Sequence, residues 1–306
     1  VVGIPGGGGD GRFIVLELHD GLWIETGEGQ PNDPTGSTDL FGDAVAISGE
    51  RIVVGAPYED EVGLTNTGAA YVFEFNGVHW TQTARLIASD SLEYQRFGGS
   101  VAIEGNRIVV GRSGSSSGHS EQTLGYVFEL INGAWVETQS LQSMSNLYVN
   151  SYWAVLTLSG DRVVIGLPSS DNALIFDLNG GVWTHSATLE EPTLNSDSEF
   201  GSGVAISGNR IVVGARAAAP VTYNQSGRAF VYTKNESEWI REATLIGIDT
   251  SSGDHFGSSV DVDGDRIIIG APDTDSDTTS RVGSAYIFEW DNNYWAQVAQ
   301  VTGEEA

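Results

Sequence analysis

The sequence predicts an all-β fold, a β-propeller of six four-stranded blades forming a single domain over residues 1–306. A fixed repeat carries that expectation. Trp23, Trp80, Trp135, Trp183, Trp239 and Trp295 recur at nearly even intervals, with only the step from Trp135 to Trp183 noticeably short. Valine-rich segments ending at Gly3, Gly55, Gly111, Gly166, Gly214 and Gly270 keep step with them. No stretch shows the 3.6-residue apolar period of a helix, so strands must build the whole core. Repeats of this kind mark architectures in which each unit buries its face against the next. Six such units close most economically as a ring of blades, at about 1–40, 41–96, 97–151, 152–199, 200–255 and 256–306. A linear stack would need polar capping copies, and neither terminal copy is unusually polar.

Each unit reads as four strands in order. The first, of the form Phe-Gly-x-x-Val-Ala-Ile, begins at Phe41, Phe97, Phe200 and Phe256, with Tyr152-Trp153 in the remaining slot. It ends in a triplet such as Ser48-Gly49-Glu50, whose glycine suits the positive φ of a tight hairpin. The second, Arg51 to Pro57 in its fullest form, is apolar on both faces, as a strand pressed between neighbouring sheets must be. Its arginine keeps one fixed distance from the aromatic in all five copies, at Arg51, Arg107, Arg162, Arg210 and Arg266. The third is rich in aromatics, and Asn76-Gly77 or Asn132-Gly133 turns it into the fourth. That strand, Trp80 to Ile87, alternates apolar and polar residues as a half-exposed outer strand does.

The spacing inside the unit is otherwise rigid, and the distance from the valine-segment glycine to the third strand absorbs most of the variation. It is longest, and equal, in the second, fifth and sixth units, from Gly55 to Tyr71, Gly214 to Phe230 and Gly270 to Tyr286, and shortest from Gly166 to Leu174. Loops after the second and fourth strands leave the blades at one end. One face is therefore elaborated while the other keeps hairpin length, and function usually lives on such loops.

Composition bounds the partners. With 14 Lys+Arg against 41 Asp+Glu the net charge is -27, which repels phosphate backbones and anionic lipid headgroups and argues against nucleic acid. No apolar run approaches the roughly 18 residues of a span, so no membrane insertion is expected. The chain has no cysteine, which removes disulfides and thiolate chemistry together. Lys234 is the single lysine, and an acid-rich, lysine-poor surface suits saline surroundings.

The pairs Phe41-Gly42 with Gly55-Ala56-Pro57, and Phe256-Gly257 with Gly270-Ala271-Pro272, resemble the FG-GAP repeat of integrin α-chain head propellers and of many bacterial surface proteins. Phe97-Gly98 and Phe200-Gly201 keep the first half of the pattern, and Gly166-Leu167-Pro168 keeps part of the second. The resemblance implies the propeller fold and an extracellular or cell-surface location. Integrin-type calcium loops do not carry over, because the first and second strands here are joined by a two-residue hairpin, and Asp261 to Asp265 is only a relic of that loop.

The candidate ligand-binding residues lie on the long-loop face: Tyr58, Glu59, Asp60, Glu61, Asp90, Trp153, Asp273, Asp275 and Asp277. Most acids there read as a solvated face. Asp273, Asp275 and Asp277 alternate as ligands to a hard cation can, making calcium the one cofactor candidate, although Thr278 replaces the turn glycine. The five histidines form no pair at metal-binding or triad spacing and read as structural. The register tryptophans read as blade-to-blade core, and the five arginines as partners of Glu74, Glu129, Asp177 and Glu289 or of carbonyls.

With no catalytic motif in the linear sequence, the expected function is a non-enzymatic recognition or adhesion module that binds a protein partner or copies of itself. A carbohydrate-binding, lectin-like propeller is the alternative, with glycan as ligand, and a polysaccharide-active enzyme ranks third. A last expectation concerns the first unit, which starts at its second strand. Six units of four strands need one more than the 23 legible here, so upstream sequence or a strand donor is expected beside residues 1–5, and seven blades would follow if a further unit lies upstream.

Overall fold

In the computed structural model, residues 1–6, 11–32, 39–113, 123–143, 154–191, 197–218, 225–236, 238–275 and 280–303 are described. Trp153, Asp277, His119 and the Tyr152 slot lie outside them. The described residues hold 23 strands in six antiparallel sheets. Strands β1 to β3 (Val2–Ile4, Arg12–His19, Leu22–Gly29) make a three-stranded first blade. Blades of four strands follow: β4 to β7 (Val45–Ser48, Arg51–Ala56, Ala69–Phe75, Trp80–Leu86) and β8 to β11 (Phe97–Glu104, Arg107–Arg112, Thr123–Ile131, Ala134–Gln142). Next come β12 to β15 (Val155–Ser159, Arg162–Leu167, Asn172–Asn179, Val182–Glu190) and β16 to β19 (Phe200–Ser207, Arg210–Ala215, Arg228–Asn235, Glu238–Leu245). The last blade is β20 to β23 (Ser259–Asp263, Arg266–Ala271, Ser284–Trp290, Trp295–Thr302). Within each blade every strand pairs with its sequence neighbour, the blade order of a β-propeller. The helical content of the described residues is one 3-10 turn at Pro168–Ser170.

Compactness divides the chain into two units, residues 1–158 with 180–183, and residues 159–179 with 184–306. The same blade-to-blade joint recurs inside each, and it explains the repeat's invariant letters. The glycine of each Phe-Gly pair has φ between 92° and 98°, at Gly42, Gly98, Gly201 and Gly257, a backbone that a side chain strains. That geometry turns its carbonyl oxygen onto the valine-segment glycine of the preceding blade. A Cβ built on Gly3, Gly55, Gly166 or Gly214 would lie 1.9 to 2.1 Å from that oxygen, a distance no side chain tolerates. The FG and GAP glycines are thus two halves of one close contact, which a repeat count finds but cannot explain.

The phase-locked arginines complete the joint. Arg51 bonds Glu74 of its own blade at 2.8 Å, donates to the Gly105 carbonyl and Asn106 of the next hairpin, and lies over the next blade's Trp135. Arg210 repeats this in the second unit with Gly264, Asp265 and Trp295. Arg107 lies over Trp183 and Arg162 over Trp239, while holding Glu129 and Asp177. The arginines bind the expected carboxylates, but the tryptophans are not simply core. Trp183 and Trp295 are buried, Trp80, Trp135 and Trp239 are half-buried, and Trp23 is exposed. Four of them, Trp135, Trp183, Trp239 and Trp295, pack their faces under a guanidinium, a contact that contributes about 0.5–1 kcal/mol when partly solvated. The interior of each joint is aliphatic and phenylalanine-rich instead, with Phe97 set among Val53, Val72, Leu86 and Val110.

Candidate functional site

At the elaborated end of the blades, the loop after the second strand lies against the loop that enters the first. The residue before Phe-Gly has left-handed backbone in each described copy, with φ of 54° at Leu40, 52° at Arg96, 54° at Glu199 and 55° at His255. None of these is glycine, and such strain in larger residues gathers at functional positions. The bend aims the side chain at the neighbouring loop. Glu199 reaches Arg216 in this way, and His255 reaches Asp273.

The second pair is the one with reactive character. Asp273 Oδ2 lies 2.7 Å from His255 Nδ1. A carboxylate there favours the imidazole tautomer with its proton on Nδ1. Both side chains are partly open to solvent. Ser258 fixes the turn by donating its hydroxyl to the His255 carbonyl at 2.7 Å. Arg281 stands on the far side of Asp273, its Nε 3.5 Å from Oδ1, and its backbone N–H bonds Asp275 at 2.8 Å. Beneath them, Asp254 is buried and accepts from the Ser251 N–H and hydroxyl.

The other candidates divide sharply. Glu59 is not an open ligand but a buried group, held by the Tyr71 hydroxyl at 2.6 Å and by Arg85 at 2.8 Å. Burial pushes its carboxyl above the usual range although Tyr71 and Arg85 pull it down. Glu61 closes the same cluster through Arg85. Asp60 accepts the Asn66 N–H at 2.6 Å and so staples its own loop, while Tyr58 lies under the Arg96 guanidinium. Asp90 accepts the buried Tyr126 hydroxyl at 2.6 Å, and burial with this carboxylate pushes that phenol far up. The calcium reading meets Asp273 and Asp275 already turned to His255 and Arg281, with Asp277 outside the described residues; among the described residues no three ligating side chains converge on one point.

The reading of all histidines as structural missed the His255–Asp273 pair. Both residues were legible as loop residues, but they meet only because one loop precedes the blade and the other lies between its second and third strands. Their place relative to the repeat, one residue before Phe-Gly and one after Gly-Ala-Pro, was the available signal.

Solved structures match this fold at low identity. A protein from Lactobacillus plantarum superposes with a TM-score of 0.59 at 11% identity, over 94% of this chain and 76% of its own. A protein named as a 6-phosphogluconolactonase from Bacteroides fragilis gives 0.63 at 10%, over 98% and 80%. The periplasmic gluconolactonase of Pseudomonas aeruginosa gives 0.64 at 11%, over 98% and 81%. Likeness at this identity shows the fold alone, yet it corrects the expectation of a non-enzymatic recognition or adhesion module. Two of these propellers carry enzyme names, so the lack of a contiguous catalytic motif does not mark the architecture as inert. The physical reason is that blades can bring together residues from separate loops, as the meeting of His255 and Asp273 illustrates. Among curated proteins none matches the chain by sequence. The family model for the FG-GAP repeat matches residues 31–73, 80–128, 183–232 and 239–288, well over half of the length, and the chain belongs to the FG-GAP repeat family.

Proposed function

We propose that the protein is a hydrolase of uncharged sugar lactones, with His255 as general base and Asp273 as its orienting carboxylate. The observation that carries the reading is the 2.7 Å His255–Asp273 pair on a strained backbone at the loop face. The gluconolactonase names among the similar propellers supply the substrate class.

The chemistry follows from the pair. His255 Nε2 takes a proton from a water molecule as that water's oxygen attacks the lactone carbonyl carbon. The carbonyl becomes an oxyanion beside the Arg281 guanidinium, whose exposed N–H groups stabilise it. The oxyanion collapses, the ring C–O bond breaks, and the departing alkoxide takes the proton back from Nε2. Lactone and water give one hydroxy acid, with no other reactant. Asp273 stabilises the transient imidazolium. The net charge of -27 favours a neutral substrate over a phosphorylated one and helps release the anionic product.

Acid release from an uncharged sugar lactone, followed by pH-stat against the spontaneous rate, tests the reading. Wild-type protein should exceed that rate, and Asp273→Asn should lose much of the excess by mis-setting the tautomer. A wild-type rate equal to buffer, or a His255→Gln variant as fast as wild type, overturns it.

A further inference from the structure

His255 is held from the blade before its own. It stands in the loop that enters the last blade, and residues 225–227, which lead into the third strand of the fifth blade, run beside that loop like an added strand. The Gln225 carbonyl accepts the N–H of both Gly253 and His255, at 3.2 and 3.4 Å, and the Ser226 carbonyl accepts that of Phe256 at 2.9 Å. Gly227 then forms a parallel bridge with Phe256. Its own N–H is bound by the Ala218 carbonyl at 3.0 Å, so the segment is anchored in the fifth blade before it touches the sixth. All of these residues lie in one compact unit. Gly227 has φ of 83°, and a Cβ there would stand 2.0 Å from the Phe256 carbonyl oxygen and 2.5 Å from its nitrogen.

We propose that Gly227 is a positioning residue for the His255–Asp273 pair: its lack of a side chain lets fifth-blade backbone lie against Phe256 and so fix the imidazole one residue away. The inference rests on the reading of His255 as general base. The loop's own supports act on the other side, where Ser258 donates to the His255 carbonyl and the Asp273 N–H reaches the Asp254 carbonyl. The N–H side of His255 is fixed by the fifth blade. Relieving a Cβ contact at Gly227 moves the Phe256 backbone by about 1 Å, a misplacement that costs a catalytic group roughly 10²-fold. The other compact unit supplies a control. Gly68 bridges Phe97 in the same way, with φ of 82° and a Cβ that would stand 2.1 Å from the Phe97 carbonyl oxygen, but the residue held there is Arg96, whose guanidinium lies over Tyr58.

Imidazole 15N shifts in the intact chain read the pair directly, with the His255 signals assigned by difference against His255→Gln. The wild-type ring should be mainly the Nδ1–H tautomer. Gly227→Ala should move it toward Nε2–H and lower kcat on an uncharged sugar lactone roughly 10²-fold with KM little changed. Gly68→Ala should lower Tm by a similar amount and leave both readouts as they were. Ser226→Gly loosens the same segment without a clash, so the His255 and Phe256 amides should exchange about two- to fivefold faster, the effect of a glycine's added backbone freedom. Wild-type imidazole shifts in Gly227→Ala, an equal change in Gly68→Ala, or a wild-type ring without the Nδ1–H tautomer overturns the proposal. If Gly227→Ala does not fold, unchanged exchange in Ser226→Gly overturns it. Shifts that move as expected in a chain that hydrolyses no lactone uphold the positioning role and sink the general-base reading alone.

Discussion

The loops after the second strands of the second and sixth blades share one frame in their described residues and use it in opposite ways. Their lengths are equal, from Gly55 to Tyr71 in one and from Gly270 to Tyr286 in the other. Each is stapled by an aspartate at the same place, Asp60 to the Asn66 N–H and Asp275 to the Arg281 N–H, and the capped residue is left-handed in both, with φ of 51° and 58°. Four pairs of positions around this frame carry the contrast: Leu40, Tyr58, Glu59 and Arg85 in one, His255, Asp273, Thr274 and Gln300 in the other. In the second blade the charges turn inward and saturate one another. In the sixth the His255–Asp273 pair stays partly open to solvent. Acid content on a loop therefore says little about function until burial has sorted it.

The comparison breaks most decisively at its reactive end. His255→Gln should lower lactone turnover by roughly 10²- to 10⁴-fold, the usual worth of a general base, with Tm unchanged. Leu40→Ala at the matching position should leave turnover as it was; a loss there would mean that the two loops serve one site. Next is Arg85→Met, which leaves Glu59 buried without its cation and should cost about 3–5 kcal/mol in urea unfolding at neutral pH. Gln300→Leu in the sixth blade should cost about 1 kcal/mol. Pairing Arg85→Met with Glu59→Gln should recover most of the loss, and failure to do so would assign the cost to packing.

The staples test whether the frames are alike. Asp60→Ala and Asp275→Ala should each cost about 1 kcal/mol, and values differing by more than about that amount would separate the two loops. The pH dependence of stability sharpens the contrast further. Burial raises the Glu59 carboxyl above its ordinary value of 4.5, so the folded chain holds that proton more tightly than the unfolded chain does. Its contribution is greatest below the ordinary value and is lost as pH rises through the raised one. Glu59→Gln should flatten that decline, whereas Thr274→Val should not. The smallest effect is shared by both loops: with a net charge of -27, Tm should rise by a few degrees between 10 mM and 1 M NaCl.

Much of the fold was legible because its signals are local or periodic. The constant interval from aromatic to glycine and the hairpin glycines announce strands directly, and the apolar second strand announces burial on both sides. The joint was not legible, because its contacts join one blade to the next and its arginine–tryptophan contacts span well over a full repeat of sequence. Arg51 meets Trp135 and Arg210 meets Trp295, each passing over the tryptophan of its own blade, so a residue read as core proved to be the face of a cation contact. Glu59 was misjudged for a related reason. Tyr71 and Arg85, which bury and neutralise it, come from two later strands of its blade, and nothing in Tyr58 to Glu61 reports them.

The left-handed residue ahead of Phe-Gly has a consequence for how such a protein changes over time. Leucine, arginine, glutamate and histidine all occupy it with φ between 52° and 55°. Their backbone is held by the joint behind them, not by their own side chains. The position behaves as an interchangeable fitting, one in each of the four described Phe-Gly copies, in which a mutation swaps chemistry without renegotiating the fold. A chain built this way can gain or lose a reactive group one codon at a time, and duplicating a blade duplicates the fitting with it.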